Sequence, residues 1–422
     1  MKQTRRPIAL FVLALAVGAV CVALLTPLRF QPDPAGDGEF ISRAQYQTRS
    51  GVTIGISALG PAEGRRSFGE DLARYDIQPV WISIANDTDK PLTFLPIATD
   101  PDYYSPYEVS YRFHGAFTPS ENRSRDSYFL ERQMPGALPP RSRTTGFIYG
   151  RLDAGAKYAR VQILGDDRMD EFRFVLPVPG ASFLGTQVRA QTLYPGRQPA
   201  DVDLAGLKAL LTAAACCTND STGSRKGDPV NLVVVESKRD PIEPFISRGW
   251  RMTQTLDIAS MVETARSFVF RDQYLTSPVS PLYMFGRKED IALQKARATI
   301  NERIHLRLWL MPETFEGRRV WIGQVSRDIG VRLTDKAWNL TTHKIGPDVD
   351  FDRNYLLQDL LESGAVERYG FVEGVGSASM DAPRTNLTGD PYFTDGLRLV
   401  VFLSDVSTPL TATSRLPWSM AR

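Results

Sequence analysis

The feature that most limits what this chain can become is Ile8–Leu25, IALFVLALAVGAVCVALL, eighteen consecutive residues without a charge. As an α-helix this run is roughly 27 Å long, close to the hydrocarbon thickness of a bilayer. Lys2, Arg5 and Arg6 precede it. The positive-inside rule therefore leaves the N-terminus cytoplasmic and puts the rest of the chain outside. A cleaved signal peptide needs small residues at a cleavage site, but the run ends Ala23-Leu24-Leu25-Thr26-Pro27. The expectation is thus an uncleaved anchor, residues 1–28, that spans the inner membrane once. Residues 29–45, with Pro32, Pro34, Gly36 and Gly38, read as a linker.

The 422 residues allow two further domains, and 42% apolar with 23% charged residues suits ordinary packed cores. Net charge is +2, and without the three basic residues ahead of the anchor it is 2 − 3 = −1. That excludes the basic footprint of a nucleic-acid binder. The cysteines are Cys21, inside the apolar run, and the neighbours Cys216 and Cys217. A bridge between neighbours lies outside common disulfide geometry, so the pair reads as two small residues at a helix end, with a redox role left open.

Residues 46–185 alternate as β-strands do. Val52/Ile54/Ile56, Val80/Ile82/Ile84 and Tyr107/Val109/Tyr111/Phe113 each follow period two. Further strands are expected at 92–96, 144–150, 158–164 and 171–177, with turn clusters between. About seven short strands predict an immunoglobulin-like β-sandwich. Ser67 and Glu70 have capping-box spacing and suggest one helical turn.

Residues 200–405 read as an α+β domain with a mixed sheet, followed by a tail at 406–422. Asp203 caps a helix carrying Leu204, Leu207, Leu210 and Leu211. Val230–Val235 reads as a buried strand. Asp240-Pro241-Ile242-Glu243 starts a helix that Gly249 stops, and 257–270 gives another. Ile304–Met311 and Val320–Val331 pair as strands. A helix from Asp350 carries Leu356, Leu357, Leu360 and Leu361, and strands near 367–374 and 397–403 follow.

Several stretches of this domain resemble the LssY C-terminal domain family. They are Gly227–Leu232, Ser277–Arg287, His305–Trp309, Ser326–Gly330 and Thr342–Asp350. The resemblance implies a bacterial envelope protein, in the variant with a single anchor and a sandwich domain, and brings no catalytic assignment. The family pattern carries Ile-Asp-Pro-Asp after its histidine. Gly346 stands here in place of its first acid, which leaves Asp348 and Asp350 as candidates.

His305, Arg307 and Trp309 project from one face of their strand, and only one of Arg327 and Asp328 can join them. A hydrolase would use His305, His343 and Asp328 as catalytic groups, acting on a phosphorylated envelope lipid or glycan. Arg287, Arg307, Arg327, Asp348 and Asp350 are the candidate ligand-binding residues. No cofactor is expected, and a divalent metal is the open alternative. Asp348 and Asp350 are also explained as helix-capping and first-turn acids. The favoured reading is a scaffold or binding module of the envelope for an anionic ligand or a protein partner. The hydrolase is the alternative, and enzyme activity is undecided.

Overall fold

The computed structural model describes residues 30–100, 102–153, 155–180, 188–238, 241–253, 281–296, 303–333 and 341–421. The anchor expected at Ile8–Leu25, the helix expected over 257–270, Asp240 and the Ser277–Ser280 part of the resembling blocks lie outside these residues. No helix among the described residues is long and apolar enough to cross a membrane. The chain divides into two compact units. One holds the described residues up to Leu152 with Arg160–Phe172. The other holds Asp153–Ala159 and the described residues from Arg173 onward.

The first unit is strand-rich, as the alternation predicts. β1 (Gln45–Arg49), β2 (Val52–Ala58), β3 (Ile77–Asn86) and a later strand, Ser142–Arg151, form one four-stranded antiparallel sheet. Leu92–Phe94 (β4) belongs to a second sheet of four, with Ala137–Leu138 and the strands Ala156–Leu164 and Met169–Pro177, of which Arg160–Leu164 and Met169–Phe172 lie in this unit. The helical content exceeds expectation. Helix α1 runs Pro61–Phe68, with Gly60 as N-cap donating its amide to Glu63 Oε2 at 2.9 Å, so Ser67 lies in the last turn of the helix rather than starting it. Gly69 closes it at φ 66. The 107–113 run is not a strand: Pro106–Tyr111 is helix α2, capped by Ser105, whose hydroxyl accepts from the Glu108 amide. Proline at the first helical position and a capping box outweigh the aromatic alternation there. Pro119–Glu131 (α3) follows. The linker expected over 29–45 is partly ordered: Phe40 is buried and sets its ring against Trp81 and Phe147.

The second unit is built on a ten-stranded mixed sheet. Its helix Leu204–Ala213 (α4) is capped by Asp203, which accepts from the Gly206 amide as its spacing predicts. We number its principal strands from Cys217–Asn219 (β5), Lys226–Pro229 (β6), Leu232–Val235 (β7), Ile291–Ala296 (β8), Arg303–Phe315 (β9), Arg318–Leu333 (β10) and Thr341–Ile345 (β11). Helix Val349–Glu362 (α5), Val366–Glu373 (β12) and Leu397–Leu403 (β13) complete it. The order Arg251–Met252, β8, β9, β10, β7, β13, β12 puts β7 in the centre. β7 is antiparallel to β10 and parallel to β13. Its four residues are all buried, as an unbroken apolar run requires. The tail expected after 405 is used: Ser414–Arg415 adds to the edge at β12, and Leu416 is buried. The helix expected from Asp240 is shorter, a single turn at Glu243–Ile246, before Gly249 at φ 82.

Both sheet faces are covered. Leu306, Leu308, Trp321, Val325, Leu399 and Val401 face Leu356 and Leu360 of α5 in one core. Trp309, Ile322, Val233 and Val400 face Leu207 and Leu211 of α4 in the other. Asn231 joins layers: its amide group donates to the carbonyls of Val325 (3.1 Å) and Val349 (3.3 Å), while its oxygen accepts from the Val325 amide (3.0 Å). Cys216 and Cys217 are joined to each other as a disulfide between neighbours, where the sequence reading expected two unlinked residues.

Candidate functional site

On the α4 side of the sheet, the faces of β9 and β10 change character along their length. Trp309 and Ile322, a paired rung, are apolar. The next rungs along that face pair Arg307 with Gln324 and His305 with Ser326, and Arg303 and Asp328 continue it. Gln294 of β8 lies opposite His305 on the other side. The intervening residues Ile304, Leu306 and Leu308 go to the α5 core. Period-two geometry therefore delivers a row of polar side chains into the interior.

These groups are almost wholly enclosed: Arg303 4%, His305 5%, Arg307 6%, Gln324 0%, Ser326 1% and Asp328 2% exposed. His305 Nε2 lies 2.6 Å from Asp328 Oδ2, and Arg303 Nε donates to that oxygen at 3.4 Å. Arg303 also donates to Gln294 Oε1 (3.0 Å), and Arg307 donates to Gln324 Oε1 (3.0 Å). Burial pulls His305 down to about 4, with the Asp328 carboxylate opposing the shift. The imidazole is thus neutral near pH 7. Its Nε2 proton points at the carboxylate, which leaves Nδ1 as a lone-pair acceptor. His305 Nδ1, Ser326 Oγ and Gln324 Nε2 are buried with no hydrogen-bond partner among the described residues. Such atoms normally find one, so three on adjacent rungs of a single face mark a place built to meet a polar group.

Asp228 of β6 reaches the cluster electrostatically. Asn386 donates to its Oδ1 at 3.0 Å, burial pushes its carboxyl up, and the charge of Arg307 works against that rise. Gly227 beside it is required by space, since a Cβ there would meet Thr218 Oγ1 at 2.5 Å.

The other expected site residues are placed elsewhere. Arg287 is held by Asp290 through paired bonds of 3.0 and 2.8 Å and lies over the Tyr194 ring. Arg327 points to the α5 side. There it donates to Asp352 Oδ1 at 2.9 Å and sits over the rings of Phe351 and Tyr355. Burial raises Asp352 to about 6. Asp348 is the N-cap of α5, accepting from the Phe351 amide at 3.0 Å. Asp350 accepts from Thr394 Oγ1 (2.7 Å) and the Asp395 amide (2.6 Å) and pairs with the buried Arg353. The backbone of His343 lies on β11, in register with Val331. His114 belongs to the first unit and contacts Asp126 at 2.8 Å. The structure therefore brings together His305, Arg307 and Asp328, and not Arg287, Arg327, Asp348 or Asp350.

Sequence reasoning did not single out Arg303, Gln294, Gln324, Ser326 or Asp228. The signal was present: Arg-x-His-x-Arg at 303–307 and Gln-x-Ser-x-Asp at 324–328 are polar residues at period two within apolar strands. Among the described residues, no group of three or more His, Cys, Asp or Glu side chains converges for a metal.

No curated protein matches the chain. The sequence model of the LssY C-terminus matches residues 210–397. That span carries α5, the β9–β10 hairpin and every residue of the buried cluster. Residues 210–397 are accordingly an LssY C-terminal domain.

Proposed function

We propose that this chain is a membrane-anchored envelope protein whose LssY C-terminal domain binds a small anionic group, phosphate or carboxylate, at the Arg303–His305–Arg307 cluster. The observation that carries the reading is the pair of partnerless buried donors, Ser326 Oγ and Gln324 Nε2, while His305 Nδ1, an acceptor, suits a protonated oxygen of the bound group. Arg303 and Arg307 flank His305 at period two on the same strand. The carboxylates nearby are Asp328, already engaged by Arg303 and His305, Asp228, whose carboxyl burial pushes up, and the buried Asp390. Hydroxyl and amide donors beside two buried guanidinium groups suit an anion. The anchor at Ile8–Leu25 would hold the site at an envelope surface.

A second reading rests on one specific observation. A neutral histidine with Nε2 held by a carboxylate and Nδ1 open has the form of a general base, which suits a hydrolase acting on the bound group. Binding comes first in either case. The test is calorimetric titration of the purified outer region, residues 30–422, with inorganic phosphate and acetate. Saturable binding that weakens at least tenfold in Arg307→Gln, with the circular-dichroism spectrum unchanged, is expected. No binding of either anion would leave the cluster as an internal polar network and end the proposal. Release of phosphate from a phosphomonoester probe that disappears in His305→Gln would add the hydrolytic reading.

A further inference from the structure

We infer that Cys216–Cys217 is a redox site, opened to a dithiol by exchange with a thiol reductant while the fold around it stays intact. Four observations lead there. First, the bridge is a poor staple. It joins neighbours whose Cα atoms are 3.8 Å apart, so it closes almost no loop and removes little freedom from the unfolded chain. Stability does not explain it.

Second, the backbone on both sides is fixed by contacts that do not involve sulfur. Arg398 Nη2 donates to the carbonyls of Ala214 (2.9 Å), Ala215 (2.7 Å) and Gly374 (2.9 Å). Cys216 accepts from the Val230 amide at 2.8 Å, and Cys217 is in register with Pro229 on β6. Opening the ring leaves all of these in place.

Third, the two cysteines differ in burial. Cys216 is half-buried, whereas Cys217 is buried with its sulfur 3.9 Å from the Tyr392 hydroxyl. A reductant reaches the Cys216 side first.

Fourth, Arg398 is a fully buried cation whose Nε and Nη1 have no hydrogen-bond partner among the described residues. Its guanidinium grips the two residues immediately before Cys216. Burial alone brings it down to about 10, so it remains charged at neutral pH. A buried positive charge held at the backbone next to a cysteine favours its thiolate.

The exchange balances with a dithiol as reductant. One thiolate of the dithiol attacks Cys216 Sγ and forms a mixed disulfide. The Cys216–Cys217 bond breaks, and Cys217 leaves as a thiolate that takes up a proton. The second thiol of the reductant then attacks its own sulfur in the mixed disulfide, releasing Cys216 and carrying away the new disulfide. Two electrons pass to the protein, and the reductant is oxidised by two.

The experiment is thiol counting on the folded outer region, purified without reductant. Iodoacetamide followed by peptide mass analysis is expected to find Cys216 and Cys217 unlabelled. After dithiothreitol, with no denaturant, both are labelled. After removal of dithiothreitol and addition of oxidised glutathione, both are protected again. The reduced protein should melt within about 3 °C of the oxidised one, since no loop is released. The Cys216→Ser/Cys217→Ser protein fixes the background of the assay. Labelling before any reduction, or only after denaturation, would overturn the inference.

Discussion

At the scale of single residues, two buried groups titrate against each other. His305 is lowered from 6.5 to about 4, so between those values the unfolded chain binds the extra proton. Its contribution to stability is complete above 6.5 and is lost as the pH falls toward 4. Asp352 is raised from 3.8 to about 6, so here the folded chain binds the proton. Its contribution is complete below 3.8 and is lost as the pH rises through 6. Each displacement corresponds to about 3 kcal/mol, of opposite sign over nearly the same window. In the wild type they largely cancel. Urea unfolding at pH 4.5 and 7 should show the stability of His305→Gln, relative to wild type, falling as the pH rises. That of Asp352→Asn should rise. Parallel pH profiles for all three proteins would contradict both assignments.

At the scale of elements, the β9–β10 hairpin carries the site and turns at Glu316-Gly317, with φ of 50° and 74°. Two left-handed residues in succession make the turn whose twist matches a hairpin, and glycine suits its second position. Gly317→Ala meets no neighbour within 4 Å, so its cost is backbone strain alone, about 1 kcal/mol. Gly317→Asn should cost less, because asparagine tolerates that conformation. A urea midpoint for Gly317→Ala equal to wild type would contradict the turn assignment. This hairpin was legible in the sequence because its apolar residues alternate on both sides of a Glu-Gly turn. α5 was legible too, from its leucine spacing and Gly364, although its cap is Asp348 and not Asp350. What defeated pattern reading was competition at short range. Tyr107–Phe113 alternates like a strand, but Ser105, Pro106 and Glu108 commit it to a helix. The site was half legible. Alternation gave His305 and Arg307 a shared face, but that Arg327 turns to the α5 core while Asp328 meets His305 depends on the register between strands. A single sequence does not encode that register locally.

For the whole molecule, fold and placement rest on separate kinds of information. The two units follow from patterning and packed cores. The proposed placement in the envelope rests on Ile8–Leu25 and the three basic residues ahead of it. A reporter active only outside the cytoplasm, fused after Arg422, should be active. The full chain should stay with membranes through carbonate washing, and a chain starting at residue 30 should not. A silent reporter would reverse the proposed orientation. With charged residues nearly balanced, 50 basic against 48 acidic, the surface offers lipid no strong electrostatic hold of its own.

The changeover between Trp309 and Arg307 on one strand face makes β9 intolerant of a frame slip. Insert a single residue just after the 316–317 bend, and the partner strand would present its odd members where the even ones belong. Gln324, Ser326 and Asp328 would then be driven among leucines, and Val325 would be left facing cations. Evolution can lengthen this domain at its bends, but along this seam it can change only in steps of two.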